Sequence, residues 1–176
     1  MSFRFIVLLL WIGTLSVHAQ SLEEWKERFE REDLSLLSSL YDAGPEIVPL
    51  AQKGLCSKNE MLRSASVYLL GKFKSEESIE AIVSLSHDPS WKVRCAAVTA
   101  LGKFQDSSLC KPVTVFLQDR DWQVRYNAIR QLSRLYCKDF IGILHRLLQD
   151  KGEREEVLSS ACETLGEIGD RSSIPL

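Results

Sequence analysis

The sequence predicts an all-α chain, a solenoid of helical hairpins, and three observations predict it. The chain repeats itself: Leu62-Arg63 aligns with Val93-Arg94 and Val124-Arg125, and Leu70-Gly71 with Leu101-Gly102 and Leu132-Ser133, at a spacing of 31 residues. Within each copy apolar residues recur at intervals of three and four, the period of a helix with one buried side. Aspartate, serine and proline stand where such helices should begin, and glycine where several should end. A fixed period of this size belongs to stacked units, none of which can bury its apolar face alone. A further copy, Val157 with Leu165-Gly166, follows after 33 residues, so two residues are inserted around Gly152.

The first nineteen residues read as an export signal. Arg4 supplies a positive start, residues 5–17 an apolar core and Val17-His18-Ala19 a small-residue cleavage site, so the mature chain is expected to begin at Gln20. The apolar run is shorter than the roughly 20 residues a membrane span needs. No second long apolar run follows, and no membrane insertion is expected after cleavage. Losing Arg4 leaves 21 basic against 24 acidic residues. That sign opposes a partner held through phosphates, so nucleic acid is not expected.

Residues 20–56 read as an N-terminal cap and a degenerate repeat. In 22–31, Leu22, Trp25 and Phe29 fall on one stripe of a charged amphipathic helix, with Ser21 as its cap, and the polar outer side suits the end of a stack. Helices over 34–41 and 45–53 follow, split by Asp42-Ala43-Gly44, with Pro45 at a helix start and Gly54 closing the second.

Repeats fill 57–176. The first opens on Ser57-Lys58-Asn59-Glu60, a capping-box pattern, with Met61, Leu62, Ala65, Leu69 and Leu70 as the apolar side of one helix and Ile79, Ile82 and Leu85 as that of the next. In the second, Asp88 is the expected cap and Pro89 the first helical residue. Ala97, Ala100, Leu101 and Phe104 share one face, Trp91 and Val98 the other, so this helix should have neighbours on both sides. Ser107 should cap its partner helix, which carries Leu109, Cys110, Val113, Phe116 and Leu117. The third repeat uses Val124, Ala128, Ile129 and Leu132, then Ile141, Leu144 and Leu148. In the fourth, the sequence stops at Ile174-Pro175-Leu176 as its second helix should begin, which predicts less cover for Val157, Ala161 and Leu165, a face open to a partner or to self-association.

Five cysteines follow the signal: Cys56, Cys95, Cys110, Cys137 and Cys162. An odd number cannot all pair within one chain, and no C-x-x-C spacing points to zinc. They are expected as buried small apolar residues, with one bridge, Cys110 to Cys137, as the exception.

The pattern D-x-x-W-x-V-R-x-x-A-x-x-x-L-G, beginning at Asp88 and, with serine for its last glycine, at Asp119, together with D-x-x-x-I-P-L at the C-terminus, resembles the HEAT-like repeats first described in phycobilisome lyases. The resemblance implies a right-handed α-solenoid of antiparallel helix pairs, its second helices lining a concave face, and a role in holding another protein. It departs from the pattern at Leu158, where other repeats have arginine, at Cys137, which takes the turn position of Asp106, and at Ser133, which replaces glycine. The third and fourth repeats are expected to stack less regularly.

Candidate sites follow from the register. Asp88 and Asp119 hold one repeat position and Arg63, Arg94 and Arg125 another, so a carboxylate–guanidinium ladder between repeats is expected to set the stacking angle. Trp91 and Trp122, one repeat apart, would form either an aromatic stripe for a partner or packing between neighbouring first helices. On the second helices the outward residues are Glu80, Val83 and Ser84, then Lys111, Thr114 and Gln118, then His145 and Gln149, a polar surface of mixed charge suited to a protein or peptide. No cofactor is expected. No His-Glu pair of the kind the di-iron HEAT-repeat hydroxylases carry occurs, nor a G-x-S-x-G, P-loop or Rossmann glycine pattern. The expectation is a non-enzymatic scaffold acting in a periplasm or outside the cell, with a lyase-type accessory as the alternative.

Overall fold

The computed structural model describes residues 44–168 and, ahead of them, Glu24, Glu27, Arg28 and Arg31. The signal, the helix expected at 34–41, Leu22, Trp25 and Phe29 of the N-terminal stripe, and residues 169–176 lie outside the described residues. Arg28 pairs with Glu24 at 3.3 Å and Arg31 with Glu27 at 2.9 Å, the i,i+4 pairs of a charged helical face.

From residue 44 to 168 every regular element is helical. A 3₁₀ turn at Pro45–Ile47 leads into α1 (Val48–Gly54), with Pro45 at the start as expected. Then come α2 (Glu60–Lys72), α3 (Ile79–Ser84), α4 (Trp91–Lys103), α5 (Cys110–Thr114), α6 (Trp122–Arg134), α7 (Ile141–Leu148) and α8 (Glu155–Glu167). The long helices α2, α4, α6 and α8 have 13 residues each and lie side by side in chain order, with α1 against α2. Each short helix, α3, α5 or α7, makes its closest backbone approach to the long helix that follows it.

One continuous core runs through the stack, layered by the repeat. Leu62, Val93, Val124 and Val157 occupy one position and are all fully buried, as are Leu70, Leu101, Leu132 and Leu165 at another. Each such side chain contributes about 1.5–3 kcal/mol. Small residues set the distance between long helices: a Cβ on Gly71 would lie 2.8 Å from the Ala100 Cβ.

Each of α2, α4 and α6 ends on a left-handed residue, Lys74, Gln105 and Tyr136, with φ of 49°, 57° and 54°. Ser75 and Cys137 then donate backbone N–H bonds of 3.0 Å to Leu70 and Leu132, closing the helix ends. Non-glycine residues adopt this conformation at a cost of about 1–2 kcal/mol.

Several expectations are corrected. Asn59, not Ser57, caps α2, accepting from the Met61 N–H, while Ser57 Oγ accepts from the Asn59 N–H. Helix α4 begins at Trp91, past Asp88 and Pro89, because the Asp88 carboxylate is taken by Arg63 and the Ser90 N–H. Asp106, one residue before Ser107, caps the turn ahead of α5. Val157, Ala161 and Leu165 are fully buried, since they face the preceding repeat; of the positions that α2 and α4 bury, Cys162 and Gly166 of α8 are exposed, and Met61, expected on the apolar side of α2, is 49% exposed. Cys110 and Cys137 form a disulfide, but Cys56 and Cys162 are exposed and Cys95 half-buried. Cys56 lies in a loop, and Cys162 holds the position that Val67, Val98 and Ile129 bury against a following helix. The third and fourth repeats stay in stacking contact, because Ser133 Oγ donates to Glu167 and Arg125 finds a carboxylate in Glu153.

Candidate functional site

The arginines of α2, α4 and α6 bridge to the loop of the next repeat. Arg63 donates through Nε and Nη2 to Asp88 at 2.7 and 2.9 Å, and Arg94 to Asp119 at 2.6 and 2.9 Å. Arg125 makes the third rung with Glu153, at 2.6 Å through Nε and a second bond through Nη2. Each Nη1 also donates to the carbonyl six residues earlier, on Ser57, Asp88 and Asp119. The carboxylates in turn accept the N–H groups of Ser90, Asp121 and Arg154. Glu153 is the rung that sequence reading missed: the insertion moves the acid off the aspartate register. The facing carboxylates hold all three guanidiniums protonated, and the Arg125 hydrogen bond holds Glu153 below the usual carboxylate range. These buried groups are spent on stacking.

The short-helix residues are dispersed. Glu80, Lys111, Gln118 and Gln149 are exposed; Ser84 and Thr114 donate their hydroxyls to the carbonyls of Ala81 and Lys111 within their own helices, and Val83 and His145 are half-buried. Thr114 and Gln118 share a hollow, of about 290 Å³, with Ile143, Arg146 and Asp150. Trp91 is exposed, whereas Trp122 is half-buried with the Arg154 guanidinium 5.0 Å from its ring centroid, so the two do not make one open stripe.

The long-helix row carries a larger feature. A cleft of about 470 Å³ opens over α4, α6 and α8, lined by Thr99, Asn127, Arg130, Arg134, Ser160, Glu163 and Glu167 among others. Thr99, Arg130 and Glu163 of its lining hold one repeat position, which Tyr68 shares outside the cleft, and Arg134 and Glu167 hold the next turn, shared by Lys72 and Lys103. Lys103 sits over the Tyr68 ring, 3.8 Å from its centroid, and burial, with the charges of Arg134 and Lys72, lowers its pKa. Buried Ser160 Oγ has no hydrogen-bond partner. Aligning the exposed positions of the repeats would have shown which residues share a register position, but not that they surround one space. Beside it Cys95 accepts from Asn127 at 3.6 Å, and burial pushes its thiol up to about 11, so it is not a nucleophile near neutral pH. Among the described residues no group of three histidine, cysteine, aspartate or glutamate side chains is placed to hold a metal ion, and no helix is long and apolar enough to cross a membrane.

Stacked helix pairs sharing one layered core, with an arginine rung between successive pairs, define an α-solenoid. A sequence profile for HEAT repeats matches residues 45–115, 79–151 and 111–176, and the chain belongs to the HEAT-repeat family. Among solved structures it is similar to a chain in the complex of CpcE and CpcF of phycocyanin lyase from Nostoc sp. PCC7120, with a TM-score of 0.65 and 16% identity over 85% of this chain and 98% of that one. No curated protein matches it.

Proposed function

We propose that this chain is a scaffold that binds another protein or a peptide segment across its repeats, and that it acts after export. The observation that carries the reading is the cleft over α4, α6 and α8, to which three successive repeats contribute polar and charged side chains in register. A repeat array spends its buried charges on stacking and leaves its exposed positions to vary, which suits recognition of an extended partner. The cleft lies on the long-helix row, so we place the binding face there rather than on the short helices. Export is supported by the signal pattern of residues 1–19 and by the Cys110–Cys137 bond, which persists in oxidising compartments.

The test captures partners on the mature chain, with cross-linking, from the envelope and medium of the cells that make it. A protein retained in stoichiometric amount and cross-linked to the long-helix face is the expected result. Failure to retain any protein overturns the scaffold reading, and an intact residue 1 in the native protein overturns export. The likeness to a phycocyanin lyase chain supports a second reading, an accessory in a chromophore-attaching complex. A tetrapyrrole that binds the chain and is transferred to an acceptor protein would establish it.

A further inference from the structure

The cleft between α6 and α8 has two walls of opposite charge. Arg130 and Arg134 stand one turn apart on α6, and Glu163 and Glu167 stand at the matching positions of α8. Among the described residues no ion pair within 4.0 Å joins either arginine to either glutamate; Arg134 reaches Gln131 at 3.5 Å and Arg130 lies 5.8 Å from the Tyr126 ring centroid. Glu167 also opposes its own helix. The last turns of α2, α4 and α6 carry Lys72, Lys103 and Arg134, which suit the negative end of the helix dipole, whereas α8 places Glu167 there. Glu167 accepts from the Ser133 hydroxyl, but neither glutamate pairs with an arginine across the cleft, so both walls keep charge to offer a third body.

Spacing says what that body is. Residues four apart on a helix are separated by about 6 Å along its axis. An extended peptide places alternate side chains about 6.7 Å apart on one side and the intervening ones on the other. Building on the scaffold reading, we infer that this cleft takes an extended peptide segment of alternating charge, its acidic residues against Arg130 and Arg134 and its basic residues against Glu163 and Glu167. Thr99 and Asn127 line the same cleft and offer polar groups beside the charged walls.

The experiment titrates the mature chain with a labelled alternating glutamate–lysine octapeptide and with its block isomer, glutamates first and lysines after, at low and high salt. The alternating peptide should bind about tenfold more tightly than the block isomer, and Arg130→Gln with Arg134→Gln should weaken it by about tenfold, as should Glu163→Gln with Glu167→Gln. High salt should weaken it further. Glu163→Gln alone, at an exposed side chain, serves if a double variant melts early. Equal binding of the two isomers, or variants that bind as the parent does, overturns the inference. Partner capture that survives all these substitutions sinks the cleft assignment and leaves the scaffold reading intact; loss of all capture by the parent chain sinks the scaffold reading itself.

Discussion

Arg94 has about the least room of any charged residue described here. Its side chain and that of Asp119 are 4% and 6% exposed, and every donor bond they make is to the other or to a loop carbonyl. Removing one partner strands the other, so Asp119→Ala should cost about 3–5 kcal/mol, and replacing both by leucine should cost less than that single change. Thermal or urea unfolding of the two variants checks the order. Lysine at position 94 should also fail to replace arginine, since an ammonium cannot make both bonds of the fork. Glu153 gives the ladder its pH dependence. Its pKa is depressed in the folded chain, chiefly by the Arg125 hydrogen bond, so the stabilisation is present above the ordinary carboxylate pKa and is lost as pH falls through the folded value. Glu153→Gln should therefore flatten the acid limb of a stability–pH profile while lowering stability near neutrality.

Among elements, the glycines of the long helices separate two roles that sequence alone makes look equivalent. Gly71 and Gly166 hold the same repeat position, yet an added Cβ meets the Ala100 Cβ and Cα at 2.8 and 2.9 Å in the first case and nothing within 4 Å in the second. Gly71→Ala should force α2 and α4 apart and cost about 1–3 kcal/mol. Gly166→Ala should be neutral or stabilise by up to about 1 kcal/mol, from helix propensity alone. Melting temperatures that move in the same direction for both would refute this account of the stacking distance.

For the whole molecule, the Cys110–Cys137 bond closes a separation of 27 residues and ties the start of α5 to the end of α6. In the chain-entropy account a loop of that length adds about 3.5 kcal/mol. Reduction, or Cys137→Ser, should lower stability by about that amount. Because α5 packs on α6, the loss should appear as earlier exchange of backbone amides in α5 through α7 than in α1 and α2. Uniform loss across the stack would mean that the array unfolds as a single unit.

The fold class, the repeat period and the arginine and aspartate positions of the ladder were legible from the letters, because each follows from local periodicity and from spacing that recurs. The helix start at Asp88 was misplaced because its carboxylate accepts the bidentate Arg63 and the Ser90 N–H in the loop, and the one at Ser107 because the neighbouring Asp106 accepts the Ser108 N–H instead. The acidic rung at Glu153, the burial of Val157, Ala161 and Leu165, and the exposure of Cys162 were beyond reach, since each depends on which neighbour lies on which side of a helix. The charged cleft was hidden for the same reason. Periodicity identifies the face a helix buries, but only the packing of three long helices decides that Arg130, Arg134, Glu163 and Glu167 come to surround one space.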